Sequence, residues 1–167
     1  QSSLFLDIFL NNVLGLQSEI FSKYDLNFLR VYEEHVFADG KIDIFIYYKH
    51  PIKENRFAIV IENKINAGDQ QNQLKRYYEY VSAPKYLDLK YEQIKILYLT
   101  TQGNEPSEVS ISSSLNTELF ERNVLKGISY SKEIRRLLLK SNDLLKSESI
   151  IQTINQYLEI INDLSNE

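Results

Sequence analysis

Apolar residues follow two periods along this chain. From Leu4 through Phe5, Leu6, Ile8, Phe9 and Leu10 to Val13, Leu14 and Leu16 they recur at helical spacing. That predicts a helix with a broad apolar face, weakened in its last turn by Gly15. Phe28 to Phe37 is rich in β-formers and predicts a strand whose polar members are Glu33, Glu34 and His35. Ala38-Asp39-Gly40 follows, and Asp-Gly between two strand-like runs signals a hairpin. The partner strand is Lys41 to Tyr48, with Ile42, Ile44 and Ile46 on one face and Asp43, Phe45 and Tyr47 on the other. His50 to Arg56 reads as a connecting loop. Phe57-Ala58-Ile59-Val60-Ile61 then forms an unbroken apolar run, the pattern of a strand buried on both faces.

After a turn at Asn66-Ala67-Gly68, Asp69 is placed to cap a helix from Gln70 to Val81. Gln70, Gln73, Leu74, Tyr77 and Val81 lie along one side of it, while Leu74, Tyr78 and Val81 read as core. Ile94 to Thr100 predicts another strand, and Gly103 to Asn116, polar and serine-rich, a long surface loop. Gly127 to Tyr130 suggests a short last strand, with Ser131 capping a helix that carries Ile134, Leu137 and Leu138. A final helix from about Glu148 to Leu164 would bury Ile150, Ile151, Ile154, Tyr157, Leu158 and Ile161. With neither internal repeat nor clear boundary, the expectation is one α/β domain over residues 1–167. The chain begins at Gln1, almost directly inside an amphipathic segment, which suggests that residues upstream have been trimmed.

Three charges interrupt these patterns. Glu62 and Lys64 share one side of the central strand's C-terminal end, and Asp43 sits inside an apolar strand. A buried carboxylate or ammonium must be paired, hydrogen-bonded or bound to an ion. A salt-bridged pair at a fraying strand end would satisfy that condition; so would a functional site.

Composition narrows the chemistry. The 167 residues are 43% hydrophobic and 25% charged, values of an ordinary globular protein. No cysteine is present, which excludes a disulfide framework and a thiolate metal site. His35 and His50 are too few for a multi-histidine zinc centre, so a metal here would be a hard, oxygen-bound ion. They read instead as an exposed strand residue and a loop residue. Apolar runs such as Ile94 to Leu99 are too short to span a bilayer, and a cytoplasmic location without membrane contact is the default expectation. A net charge of −4 argues against a strongly basic nucleic-acid platform but leaves room for a local patch. No Gly-rich phosphate loop marks a small-molecule cofactor.

The order of these features resembles the PD-(D/E)xK nuclease superfamily, the restriction-endonuclease-like fold. More narrowly, it resembles a bacterial branch carrying an isoleucine-rich IENKI strand followed by a QLxxYYxY helix. The matching residues are Gly40-Lys41-Ile42-Asp43-Ile44, Ile59-Val60-Ile61-Glu62-Asn63-Lys64-Ile65 and Gln73-Leu74-Lys75-Arg76-Tyr77-Tyr78-Glu79-Tyr80. Leu97 to Thr100 and Ile128 to Tyr130 fit the same pattern, so the resemblance covers roughly residues 30 to 140. It departs at Ile42, where familiar members have proline before the first acid.

The resemblance implies a mixed β-sheet core flanked by helices, with additional C-terminal helices. It also implies a Mg²⁺-dependent (or Mn²⁺-dependent) endo- or exodeoxyribonuclease with DNA as its partner. Asp43 and Glu62 would hold the metal, with the backbone carbonyl of Asn63 as a third oxygen. Lys64 would position or help deprotonate the attacking water, and Gln73 would orient that water or touch a phosphate. Tyr77 would be structural. A further acid often completes such a site: a two-residue Asp39-Gly40 loop would set Glu34 on Asp43's face, a three-residue Ala38-Asp39-Gly40 loop would set Glu33 there, and Glu19, near the end of the first helical segment, is a third candidate; Glu34 is preferred. Because the superfamily includes inactive relatives, the competing expectation is a protein of this fold that binds nucleic acid or a protein partner without cutting.

Overall fold

The computed structural model of the chain describes residues 26–166 together with Phe9. The helix expected over residues 4–16 therefore lies outside the described residues. Among the described residues, five strands form one mixed sheet in chain order: β1 (Leu29–Phe37), β2 (Gly40–Tyr48), β3 (Phe57–Lys64), β4 (Ile94–Thr100) and β5 (Leu125–Ser129). Helix α1 (Gln73–Ser82) links β3 to β4, and α2 (Ser113–Glu121) links β4 to β5. A π-helical turn (Tyr130–Ile134) then leads into α3 (Arg135–Leu144) and α4 (Glu148–Asn166). Among the described residues, no helix is long and apolar enough to cross a membrane.

The chain divides into two compact units. One comprises Asp25–Leu99 and Glu105–Gly127; the other takes in Thr100–Asn104 and Ile128–Glu167. In the first, Phe45, Tyr47, Ala58, Val60, Ile94, Ile96 and Tyr98 from the strands meet Leu74, Tyr77 and Val81 of α1 in one apolar cluster. Ile46, Ile59, Ile61, Leu97 and Leu99 are buried as well. The inner strands are thus covered on both faces, as their near-continuous apolar runs require. In the second unit, the Ser129 hydroxyl accepts from Lys132 N–H (3.1 Å), while Glu133 Oε2 accepts from Ser129 N–H (2.8 Å). This reciprocal cap belongs to Ser129 and not to Ser131. On α4, Ile154 and Ile161 are buried, but Tyr157 is 55% exposed and is not part of the inner face.

The β1–β2 hairpin differs from both registers expected for it. Phe37 pairs with Gly40, so the loop is Ala38-Asp39. The pairs Glu33–Ile44 and His35–Ile42 then bracket Glu34 and Asp43, which stand across from one another. Glu34 has φ +50°, a left-handed conformation uncommon for a non-glycine residue. It interrupts the alternation of β1. Tyr32 and His35 both stack on Phe45 (6.1 and 4.8 Å between ring centres), although an unbroken strand would send them to opposite faces. His35 is consequently half-buried, not exposed, with Nε2 2.9 Å from the Tyr80 hydroxyl. Ile42 likewise joins the cluster of Phe45 and Tyr47, away from the face expected for it.

Helix α1 starts at Gln73, three residues later than its periodicity suggested, behind Asn72 at φ +54°. Asp69 is unavailable as a cap, since Tyr98 donates its hydroxyl to Oδ1 (3.0 Å) and Ser107 donates N–H and O–H to Oδ2 (2.9 and 2.7 Å). The helix is capped instead by a distant loop. Ser110 Oγ accepts from Leu74 N–H and its carbonyl accepts from Lys75 N–H, both at 3.4 Å. That task buries Ser110 and Ile111 completely, so part of the expected surface loop is interior. Its last residues begin α2.

Candidate active site

The site forms where the C-terminal end of β3 meets the start of β2 beneath α1. Continuing the β2–β3 register of Ile44 with Ile61 by one step sets Asp43 across from Glu62, on one side of the sheet. Asp43 Oδ2 accepts the Asn63 N–H at 2.8 Å, a side chain standing in for a ladder partner. Its Oδ1 takes no hydrogen bond among the described residues. The two carboxylates feel each other: burial pushes the Glu62 carboxyl above its ordinary value, and the charge of Asp43 adds to that push. Lys64 and Tyr77 pull it back down through hydrogen bonds.

Glu62 is 2% exposed and its oxygens are closely attended. Lys64 Nζ reaches Oε1 at 2.8 Å, and Gln73 Nε2 donates to the same oxygen at 2.8 Å. The Tyr77 hydroxyl lies 2.9 Å from Oε2. Lys64, 7% exposed, gives a second hydrogen to the Gly68 carbonyl at 3.1 Å, leaving its third without a described partner. Gln73 spends its remaining amide hydrogen on the Tyr77 oxygen (3.0 Å), and its own carbonyl accepts from Gln70 N–H (3.3 Å). Tyr77, 1% exposed, also sits 2.5 Å from the Lys41 carbonyl. Its single proton thus serves two acceptors, the Lys41 carbonyl and Glu62. Burial, followed by the Glu62 charge, drives its ionisation well above the ordinary phenol range.

The sequence-predicted residues Asp43, Glu62, Lys64 and Gln73 are brought together, and Asn63 joins them through its backbone. Glu34 is not among them. Its exposed carboxylate accepts from Lys41 Nζ at 2.7 Å. Glu33 is exposed on β1, and Glu19 lies outside the described residues. Tyr77, expected to be structural, is hydrogen-bonded to Glu62, Gln73 and the Lys41 carbonyl. Its four-residue spacing from Gln73 on a helix was the available signal, since such pairs share a face.

The divalent cation implied by the resemblance can be tested against this donor set. All candidate donors are oxygens. Asp43 offers a free Oδ1, and Glu62 Oε2 keeps a lone pair beyond its one hydrogen bond. Two carboxylates with a backbone carbonyl suit a hard cation that keeps several waters, and a positive charge would relieve the mutual push of Asp43 and Glu62. The residues fit the ion. Among the described residues, no group of three or more His, Cys, Asp or Glu side chains gathers at one metal position.

No curated protein and no solved structure matches the chain significantly. The family model described as the PD-(D/E)XK nuclease superfamily matches residues 2–159, nearly the whole chain. The chain therefore belongs to the PD-(D/E)XK nuclease superfamily.

Proposed function

We propose that this protein is a divalent-metal-dependent nuclease that hydrolyses phosphodiester bonds of DNA. The observation that supports this reading most is the convergence of Asp43, Glu62 and Lys64 at the adjoining ends of β2 and β3, with Glu62 pushed toward its neutral form. Asp43, Glu62 and the Asn63 carbonyl would hold Mg²⁺ or Mn²⁺. Such an ion supplies charge compensation at the phosphate and a more acidic water. The chain's own residues do the rest. Lys64, fixed by Glu62 and the Gly68 carbonyl, has one hydrogen left with which to orient the attacking water and steady charge on the phosphate oxygens. Gln73 and Tyr77 act as positioning residues: they fix the rotamer of Glu62, and their hydrogens are already used in doing so. In this reading Gln73 serves Glu62, and not the water or a phosphate.

The test is incubation of plasmid and single-stranded DNA with the purified protein in Mg²⁺, in Mn²⁺ and in EDTA. Cutting with either cation and none in EDTA is the expected result. Wild-type activity no greater than that of Asp43→Asn, over both cations, would contradict it.

One observation favours a second reading. The Lys64–Glu62 pair is closed and buried, as a purely structural ion pair would be, in a chain of net charge −4. A non-cutting relative that binds nucleic acid or a protein partner would show no cleavage. A DNA mobility shift with steep salt dependence would then identify nucleic acid as what it binds.

A further inference from the structure

Lys41 is tied to the candidate site at one end and to solvent at the other. Its carbonyl lies 2.5 Å from the Tyr77 hydroxyl that also touches Glu62. It stands two residues before Asp43 on β2. The ammonium itself is at the surface. It meets Glu34 Oε1 at 2.7 Å, with the two side chains 49% and 73% exposed. Glu34 occupies the position across from Asp43, held there in its left-handed conformation.

Two features of this arrangement are not explained by stability. An exposed lysine–glutamate pair contributes little to folding, because water and salt screen it. A glutamate at φ +50° inside a strand is a conformation that local packing must impose, and such residues concentrate at functional sites. The pair has a clear electrostatic consequence, however. Lys64 pairs with Glu62, whereas no described ammonium forms an ion pair with Asp43, so a polyanionic strand approaching that carboxylate is repelled. A solvent-accessible ammonium beside Asp43 offsets that repulsion only when it is not already neutralised by Glu34.

We propose that Lys41 binds a backbone phosphate of a polynucleotide strand entering the site, and that Glu34 is the built-in counter-ion which that phosphate displaces. This rests on the nuclease reading and deepens it by naming a substrate contact and its competitor. The two residues then affect binding in opposite directions. Lys41→Ala removes a phosphate contact. Glu34→Gln frees the ammonium and removes a negative charge from the path of the strand. Glu34 therefore restrains binding and takes no part in the chemistry.

The experiment is fluorescence anisotropy with labelled single-stranded and duplex DNA oligonucleotides, in EDTA so that the strands stay intact, over a series of salt concentrations. Lys41→Ala should weaken binding about 3-fold or more at low salt and lower the salt slope by about 1. Lys41→Arg should restore it, and Glu34→Gln should tighten it by a similar factor. With Lys41→Ala already present, Glu34→Gln should have a smaller effect, because no ammonium remains to be freed. Melting curves establish that each variant is folded. Wild-type binding with slopes unchanged in both single variants would overturn this inference and leave the nuclease reading standing. A wild-type chain that binds neither DNA at low salt would overturn both.

Discussion

Lys64 and Glu62, two residues apart on β3, meet at 2.8 Å in a place where neither is more than a few per cent exposed. Each makes the other tolerable. Removing one partner of such a pair costs about 3–5 kcal/mol when the remaining charge has no other relief. Here Glu62 has some, because burial and Asp43 already favour its protonated form. Lys64→Met keeps the aliphatic stem and should destabilise the metal-free protein by about 3 kcal/mol at neutral pH. The deficit should shrink in acid, where Glu62 takes up a proton. Urea unfolding of wild type and variant at neutral and mildly acidic pH checks both the size and the direction.

Tyr77→Phe removes a hydroxyl that three groups use: the Lys41 carbonyl, Glu62 Oε2 and the Gln73 amide. The ring still fills its place in the core, so the loss is one of hydrogen bonding. Buried groups left without partners cost about 1–3 kcal/mol, and that range is the expected drop in unfolding free energy. A packing role alone would leave the Tyr77→Phe midpoint close to that of wild type.

Asp43→Asn tests the opposing claim that one acid is held in place at some cost. An amide oxygen can still accept from Asn63 N–H, while the repulsion between Asp43 and Glu62 disappears. Metal-free stability should stay within about 0.5 kcal/mol of wild type or rise slightly. The stabilisation that Mn²⁺ gives to wild type in a thermal-shift assay should be lost. A large fall in melting temperature without metal would assign Asp43 a structural role.

His35 carries a pH dependence of its own. Burial against Phe45 and Tyr80 depresses its ionisation below the ordinary value of 6.5. A depressed histidine contributes stability that is present above 6.5 and is lost as pH falls through its folded-state value. His35→Gln has no ring to protonate. The stability difference between wild type and variant should therefore be constant above pH 6.5 and move against wild type below it. A difference that stays flat across that window contradicts the assignment.

The sheet was legible from sequence because its strands are apolar runs long enough to need burial on both faces; β2, β3 and β4 fall close to their expected bounds. Asp43, Glu62, Lys64 and Gln73 were legible for the opposite reason, as polar groups where the pattern demanded apolar ones. What escaped depends on contacts between distant segments. Asp69 has the chemistry of a helix cap, but Tyr98 and Ser107 claim its carboxylate from elsewhere in the chain. Ser110 looks like surface loop until it caps α1. Helix α2 is hidden by a Ser-Ser-Leu-Asn-Thr start with a single fully buried residue, Leu119. Hairpin register turned on whether Gly40 belongs to the loop, and the left-handed Glu34 then redirected His35.

One paired measurement separates the proposed catalytic role of Lys64 from the proposed metal-holding role of Asp43 and Glu62. Mn²⁺ is titrated calorimetrically into wild type and Lys64→Met, and DNA cleavage is followed in the same samples. Lys64→Arg, which keeps the ion pair, serves as a companion to show that the fold is intact. Lys64→Met should bind Mn²⁺ as well as wild type or more tightly, because a positive charge beside the ion has gone. Its cleavage should fall by about 10²-fold or more. Loss of Mn²⁺ binding together with unfolding, or cleavage that survives the substitution, would contradict the account.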